Sequence, residues 1–324
     1  MSASKTTPKA ILEALKKALT SGPAQKVEDA YYKPRPQPFH HYNGSAWVVS
    51  TLKRSSQSQS PSSRTVRLIS WNIDMLIGFA EERMSAALEH LSTLVESTNN
   101  ETPIVIFLQE MSQSDMKQIR DTPFIQRRFY ITDLNERNWL SPLYGTNTLI
   151  DRRLSISRVF RVPWISKFDR DGLFVDLALA EQGEGKSSVA AGLLAGDLNA
   201  IQPFDWTLHS DNNLKDVYLE LGGKEDSDDG YTWGYQVPQA LRERFGCSRM
   251  DKILFTGGIM PQKFERIGVG VRVAENERKE MRDAGEEEWV TDHYGVMADF
   301  QIDEESALAV TEGREDEVPR SKLT

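Results

Sequence analysis

Ile104-Val105-Ile106-Phe107-Leu108-Gln109-Glu110 is an unbroken apolar run that ends in an amide and a carboxylate. Five apolar residues without alternation describe a strand covered on both faces, as in the middle of a layered α/β fold. Its end is as informative as its body. A carboxylate half in a core requires a partner or a metal, because an unpaired buried charge is costly.

The surrounding pattern agrees with a core strand. Residues 66–71 alternate as a strand does, and residues 80–97 place Met84, Leu88, Leu91 and Val95 at helical spacing. A helix is expected over 114–120, and strands over 146–150, 154–160, 173–179, 192–195, 252–256 and 296–300. Many strands with few helices point to two sheets packed face to face, with helices outside.

Composition excludes several classes. At 324 residues, 39% hydrophobic and 27% charged, the chain is ordinary globular protein. A single cysteine, Cys247, rules out a disulfide framework and a Cys-rich zinc site. No apolar run approaches the roughly 18 residues that span a bilayer, so no membrane is expected, and the nucleus or cytoplasm is the default location. The net charge of −9 speaks against a polyanion partner. Locally, however, residues 127–170 carry nine basic and four acidic side chains, which describes either a solvated basic face or a surface for a polyanion.

The ends read differently from the middle. A helix is expected over 9–19, followed by Pro34, Pro36, Pro38 and a Ser/Gln stretch at 55–63. Residues 1–64 are therefore expected to be an N-terminal extension and 65–302 the folded domain. Residues 303–324 are expected to be an acidic disordered tail.

Polar residues recur at the ends of the apolar strands: Asn72, Gln109, Glu110, Asp197, Asn199, Asp292 and His293. An Asn or Asp after a strand is, alone, a turn former, and a lone histidine is more often structural. As a set at one sheet edge they would face a common cleft.

Five segments then carry a resemblance. Trp71-Asn72-Ile73-Asp74, Leu108-Gln109-Glu110, Gly196-Asp197-Leu198-Asn199, Ser248-Arg249-Met250-Asp251 and Thr291-Asp292-His293-Tyr294-Gly295 resemble the ordered signatures of the endonuclease/exonuclease/phosphatase superfamily. The first of them most resembles the type-2 tyrosyl-DNA phosphodiesterases. The resemblance implies an α/β (α+β) four-layer αββα sandwich of two mixed sheets, and a Mg²⁺-dependent (or Mn²⁺-dependent) phosphodiesterase of DNA repair. It implies a monomer acting on DNA, with a 5′-phosphotyrosyl end as the leading substrate. Glu110 would be the principal metal ligand, with Asn72 close by and Asp292 acting through water. Asp197 would deprotonate the attacking water, held by Asn199, while His293 would stabilise the phosphoryl oxygen and Asp251 would orient His293. Trp233, Tyr144 and Arg152 are candidates for substrate contact. Abasic endonuclease, deadenylase, and phospholipid or inositol phosphatase activities share these motifs, and a catalytically silent nucleic-acid-binding protein is the alternative from another class.

One signature is missing. The superfamily places a strand ending in His-x-x-Ser before Gly-Asp-x-Asn, yet none of the five histidines (His40, His41, His90, His209, His293) lies between Glu110 and Asp197. The expected fold therefore lacks one central strand and its helix. This is the mark either of a skipped coding segment or of a diverged enzyme that holds phosphate through Arg152 or Lys186. Loss of a central strand would expose backbone polar groups and cost stability as well as phosphate binding.

Overall fold

A computed structural model describes residues 13, 16, 17, 20, 29–50, 65–141, 143–178 and 189–302. Most of the helix expected over 9–19, the Ser/Gln stretch, Lys186 and the acidic tail lie outside the described residues.

The strands are β1 (Arg35–Pro36), β2 (His40–Tyr42), β3 (Trp47–Val49), β4 (Thr65–Asn72), β5 (Ile104–Met111), β6 (Phe129–Ile131), β7 (Gly145–Asp151), β8 (Ser155–Pro163), β9 (Asp171–Ala178), β10 (Ala191–Asp197), β11 (Lys215–Asp216), β12 (Asp251–Gly257), β13 (Ile259–Ile267) and β14 (Gly295–Ile302). The α-helices are α1 (Ala80–Ser97), α2 (Gln113–Asp121), α3 (Pro123–Arg128), α4 (Leu208–Asp211), α5 (Val217–Glu220), α6 (Gln239–Phe245) and α7 (Glu275–Asp283).

Eight strands form one large mixed sheet, in the order β13-β14-β4-β5-β7-β6-β2-β3. Only β4 and β5 run parallel, which places the ends of both at the same edge. The outer face of this sheet packs on α1–α3 through Ile69, Trp71, Ile106, Leu108, Met84, Leu91 and Met116. Helix α2 is started by a capping box, in which Ser112 and Asp115 satisfy each other's backbone N–H. The inner face, with Val66, Leu68, Val105, Ile150, Val296 and Phe300, meets Ile156, Val159, Ile253 and Phe255 of the second layer. The sheet-on-sheet sandwich expected from the strand pattern is thus the observed architecture.

The second layer differs from one mixed sheet. It is two antiparallel pieces, β1-β8-β9 and β10-β12-β11, and among the described residues β9 and β10 are each paired on one side only. The separation falls where the sequence lacks a strand.

Residues 35–49, expected to be extension, belong to the sheets instead. β1 pairs with β8, β2 pairs with β6, and Phe39 is buried in the inter-sheet core. Short strands among prolines carry too little periodicity to be read from sequence. No helix among the described residues is long and apolar enough to cross a membrane.

Candidate active site

Strand ends assemble the site. Asn72 closes β4, Glu110 lies near the end of β5, Asp197 closes β10, Asp251 opens β12, and His293 stands two residues before β14. Register makes the convergence explicit: Asn72 is paired with Gln109, and Asp197 with Asp251. A β-bulge between Leu108 and Met111 breaks the β5–β7 register and turns Glu110 out of line.

Three site residues hold left-handed backbone: Asp74 (φ 54°), Glu110 (φ 53°) and Asn199 (φ 48°). Non-glycine residues avoid this region, and where they occupy it the surrounding fold must hold them there.

The hydrogen bonds define a rigid constellation. His293 Nδ1 lies 2.7 Å from Asp251 Oδ2, and Asp251 is fully buried. Thr232 Oγ1 fixes that strand end by accepting the N–H groups of Met250 and Asp251 at 3.1 and 3.0 Å. The Trp71 indole N–H donates to the His293 carbonyl at 3.2 Å. His293 Nε2 faces Asp197 Oδ2 at 3.9 Å and Asp292 Oδ1 at 3.8 Å. The Asp197 carboxylate is held by the amides of Asn72 (3.2 Å) and Asn199 (3.1 Å).

Charge crowding follows from this packing. Burial, then Asp197, pushes the Glu110 carboxyl up to about 7, against the opposing pull of Arg170. Asp74 is raised well above the usual carboxylate range by burial, Asp292 and Glu110. Asp197 is raised by burial and by Asp251. Burial would lower His293, but the charge and hydrogen bond of Asp251, with Asp292 and Asp197, hold it well above its ordinary value.

This donor set fits a hard divalent cation. Buried carboxylates that raise one another are relieved by positive charge, and oxygen ligands suit Mg²⁺. Among the described residues no three His, Cys, Asp or Glu side chains converge as a closed cage. That is compatible with Mg²⁺, which takes one or two carboxylates and keeps several waters.

The other expected contacts sort unequally. Trp233 donates its indole N–H to Asp292 Oδ2 at 2.7 Å, so it positions that carboxylate. Tyr144 donates to the Phe168 carbonyl and lies close enough to Arg170 and Glu110 to feel both charges. Arg152 is not part of the site. It follows β7 at the end opposite Tyr144, donates to the Tyr42 carbonyl at 2.8 Å, and lies over the Tyr130 ring.

Two site residues escaped assignment from sequence. Asp74 stood inside the Trp71–Asp74 motif without a role. Arg170, just before β9, reaches within 4.0 Å of Glu110 and was counted only within the basic stretch. Four of the nine basic side chains are paired with carboxylates of the same domain: Arg128 and Arg153 with Asp151, Arg161 with Asp133 and Asp171, and, at the surface, Arg158 with Asp176. These four are therefore at least partly neutralised by their neighbours and are not all available to a polyanion.

Aromatic and arginine side chains alternate beside the site. Tyr235 stacks on Tyr294 at 5.8 Å, Arg242 lies over Tyr235 at 4.9 Å, and Arg266 lies over Tyr294 at 5.4 Å. Phe245, 60% exposed, lies beside Trp233.

A layered sheet sandwich whose strand ends gather carboxylates, amides and an Asp-supported histidine defines the hydrolases that cleave phosphodiesters. The sequence pattern of the Endonuclease/Exonuclease/phosphatase family matches residues 69–293, and the chain belongs to that family. It is thereby a hydrolase of the phosphodiesterase type. Its fold is similar to that of zebrafish (D. rerio) TDP2 complexed with single-strand DNA product: TM-score 0.53, 13% identity, covering 73% of this chain and 98% of that one. Truncated Caenorhabditis elegans TDP2 gives TM-score 0.53 at 17% identity, covering 73% and 97%. A longer C. elegans TDP2 structure gives 0.52 at 18%, covering 73% and 75%. No curated protein sequence matches the chain.

Proposed function

We propose that this chain hydrolyses phosphodiester bonds at DNA ends with Mg²⁺, and that a 5′-phosphotyrosyl end is its substrate. The observation that carries the reading is the linked trio Asp251, His293 and Asp197 set beside Glu110. Asp251 takes the Nδ1–H of His293 and leaves Nε2 facing the point that Asp197 also faces, at 3.9 Å. The imidazolium, held charged by Asp251, donates from Nε2 to a phosphoryl oxygen as negative charge builds there. Asp197, its carboxylate oriented by Asn72 and Asn199 and its proton affinity raised by burial, takes the proton of the attacking water. Glu110, Asn72 and Asp292 would hold the cation, which when bound neutralises substrate charge and stabilises the leaving oxygen. Arg170 supplies a fixed positive charge on the same side. The rings of Tyr235, Tyr294 and Phe245, interleaved with Arg242 and Arg266, suit the bases of a single strand. The likeness to a TDP2 holding single-strand DNA product supports this substrate class.

The divided second layer favours a second reading, a DNA-binding protein that no longer turns over, because the family's phosphate-holding strand belongs where β9 and β10 stand apart. One assay separates the two. Purified protein with Mg²⁺ is given a 5′-tyrosyl oligonucleotide, alone and as Glu110→Ala and His293→Ala variants. Tyrosine release that both substitutions abolish supports hydrolysis. Release that survives both sinks the site assignment, and binding without release establishes the silent reading. Preferred cleavage of an abasic duplex would replace the substrate class.

A further inference from the structure

Arg152, which the active site does not use, lines a second cleft at the opposite end of β7. This open cleft, about 810 Å³, lies between the turn of the β2–β3 hairpin and helix α3, and its lining includes Tyr42, Asn43, Gln126, Arg127 and Arg152. That volume is within the range of small-molecule sites. The walls are tied to the fold. β2 pairs with β6, and the Trp47 indole N–H donates to the Arg120 carbonyl, in the last turn of α2, at 3.1 Å. Asn43 Oδ1 closes the hairpin turn by accepting the N–H groups of Ser45 and Ala46 at 3.0 and 2.9 Å.

Charge at this end is unbalanced. Arg127, Arg128, Arg152 and Arg153 gather where α3 and β7 end, and Asp151 is already shared by Arg128 and Arg153. Asp121, at the end of α2, faces Lys117 at 3.9 Å. Among the described residues neither Arg127 nor Arg152 pairs with a carboxylate, and the cleft has none in its lining. Arg152 is nevertheless held in place. Its Nε donates to the Phe129 carbonyl at 3.3 Å and its Nη2 to the Tyr42 carbonyl at 2.8 Å, with the guanidinium over the Tyr130 ring at 6.0 Å. Its Nη1 makes no such bond among the described residues. Gln126 spends its Nε2 on the Arg120 carbonyl at 2.7 Å, which leaves its side-chain oxygen as an acceptor. Fixed arginines without counter-charge in a cleft attract anions, and the planar guanidinium fork matches phosphate oxygens.

We propose that this cleft binds a phosphate-bearing small molecule, with Arg152 and Arg127 donating to the phosphate oxygens and Asn43 and Gln126 meeting the polar groups beside them. The assignment does not rest on the proposed hydrolysis, and neither does its test. Binding of pyrophosphate and of ADP to the full chain is measured by calorimetry in metal-free buffer, so that no cation bridges an anion to the carboxylates of the active site. At least ADP is expected to bind. Tighter binding of ADP than of pyrophosphate identifies a nucleotide as the ligand, and equal binding identifies the phosphate alone. Arg127→Ala removes an exposed side chain without an ion pair, so it is expected to weaken binding about tenfold or more while the melting temperature stays unchanged. Arg152→Lys keeps the charge but loses the fork, and is expected to weaken binding as well. Glu110→Ala is expected to bind as the parent does. Binding that survives both arginine substitutions, or that Glu110→Ala abolishes, overturns the proposal. Absence of binding by either probe overturns it too, as does loss of binding in potassium chloride of physiological strength. Should an oligothymidylate without terminal phosphates bind through Arg127 where the two probes do not, the face tracks a nucleic-acid strand and the small-molecule assignment fails.

Discussion

His293 is set by contacts from three directions: Asp251 on its ring, Trp71 on its carbonyl, and Thr291 Oγ1 accepting its backbone N–H at 3.2 Å. Asp251 is thus a positioning residue whose charge holds the imidazolium. Asp251→Asn keeps the shape and removes that charge, so turnover is expected to fall by about 10²–10⁴-fold with little change in KM, measured on a 5′-tyrosyl oligonucleotide. Asn199 tests the backbone. Its left-handed conformation costs a side chain about 1–3 kcal/mol, so Asn199→Gly is expected to fold at least as stably as the parent, and Asn199→Ala to melt lower. Glu110, Asp197 and His293 were legible as strand-end residues because each closes or adjoins an apolar run. Asp74 was not, since its importance lies in facing Glu110 and Asp292 across the sheet edge, which no local pattern encodes.

At the scale of elements, Arg161 ties β8 to four neighbouring segments. Its guanidinium, 4% exposed, meets Asp133 at 2.8 Å and Asp171 at 2.7 Å, with Thr146 and Gln37 completing the set. Arg161→Ala leaves buried carboxylates unpaired and is expected to cost about 3–5 kcal/mol, read from urea unfolding. Asp151 closes β7 in a comparable way. Burial would raise its carboxyl, but hydrogen bonds from Arg153 and Arg128 outweigh that and hold it below the ordinary 3.8. Its contribution is therefore present above 3.8 and is lost as pH falls through the depressed value. Asp151→Asn is expected to lower the urea midpoint at neutral pH and to flatten its decline in acid. Apolar strands such as β4, β5 and β14 were read correctly from periodicity. β13 was missed because it is an edge strand, with Ile259 and Ile267 buried and most residues between them polar and open. Helix α7 (Glu-Asn-Glu-Arg-Lys-Glu-Met-Arg-Asp) was missed because it buries only Met281.

At the scale of the molecule, the crowded carboxylates predict a stability that depends on divalent ions. Mg²⁺ at a hundredfold excess over its Kd is expected to stabilise the chain by about 2.7 kcal/mol, seen as a rise in Tm that Glu110→Ala abolishes. The pairing of Arg128, Arg153 and Arg161 with buried carboxylates has its own consequence for a nucleic-acid partner. Guanidinium groups already neutralised inside the protein displace no counterions from a phosphate backbone. A strand held chiefly by rings and a few free arginines would therefore bind with a shallow salt response, a slope of log K against log salt of only about −1 to −3, and would stay bound at ionic strengths that strip a basic-groove protein from DNA.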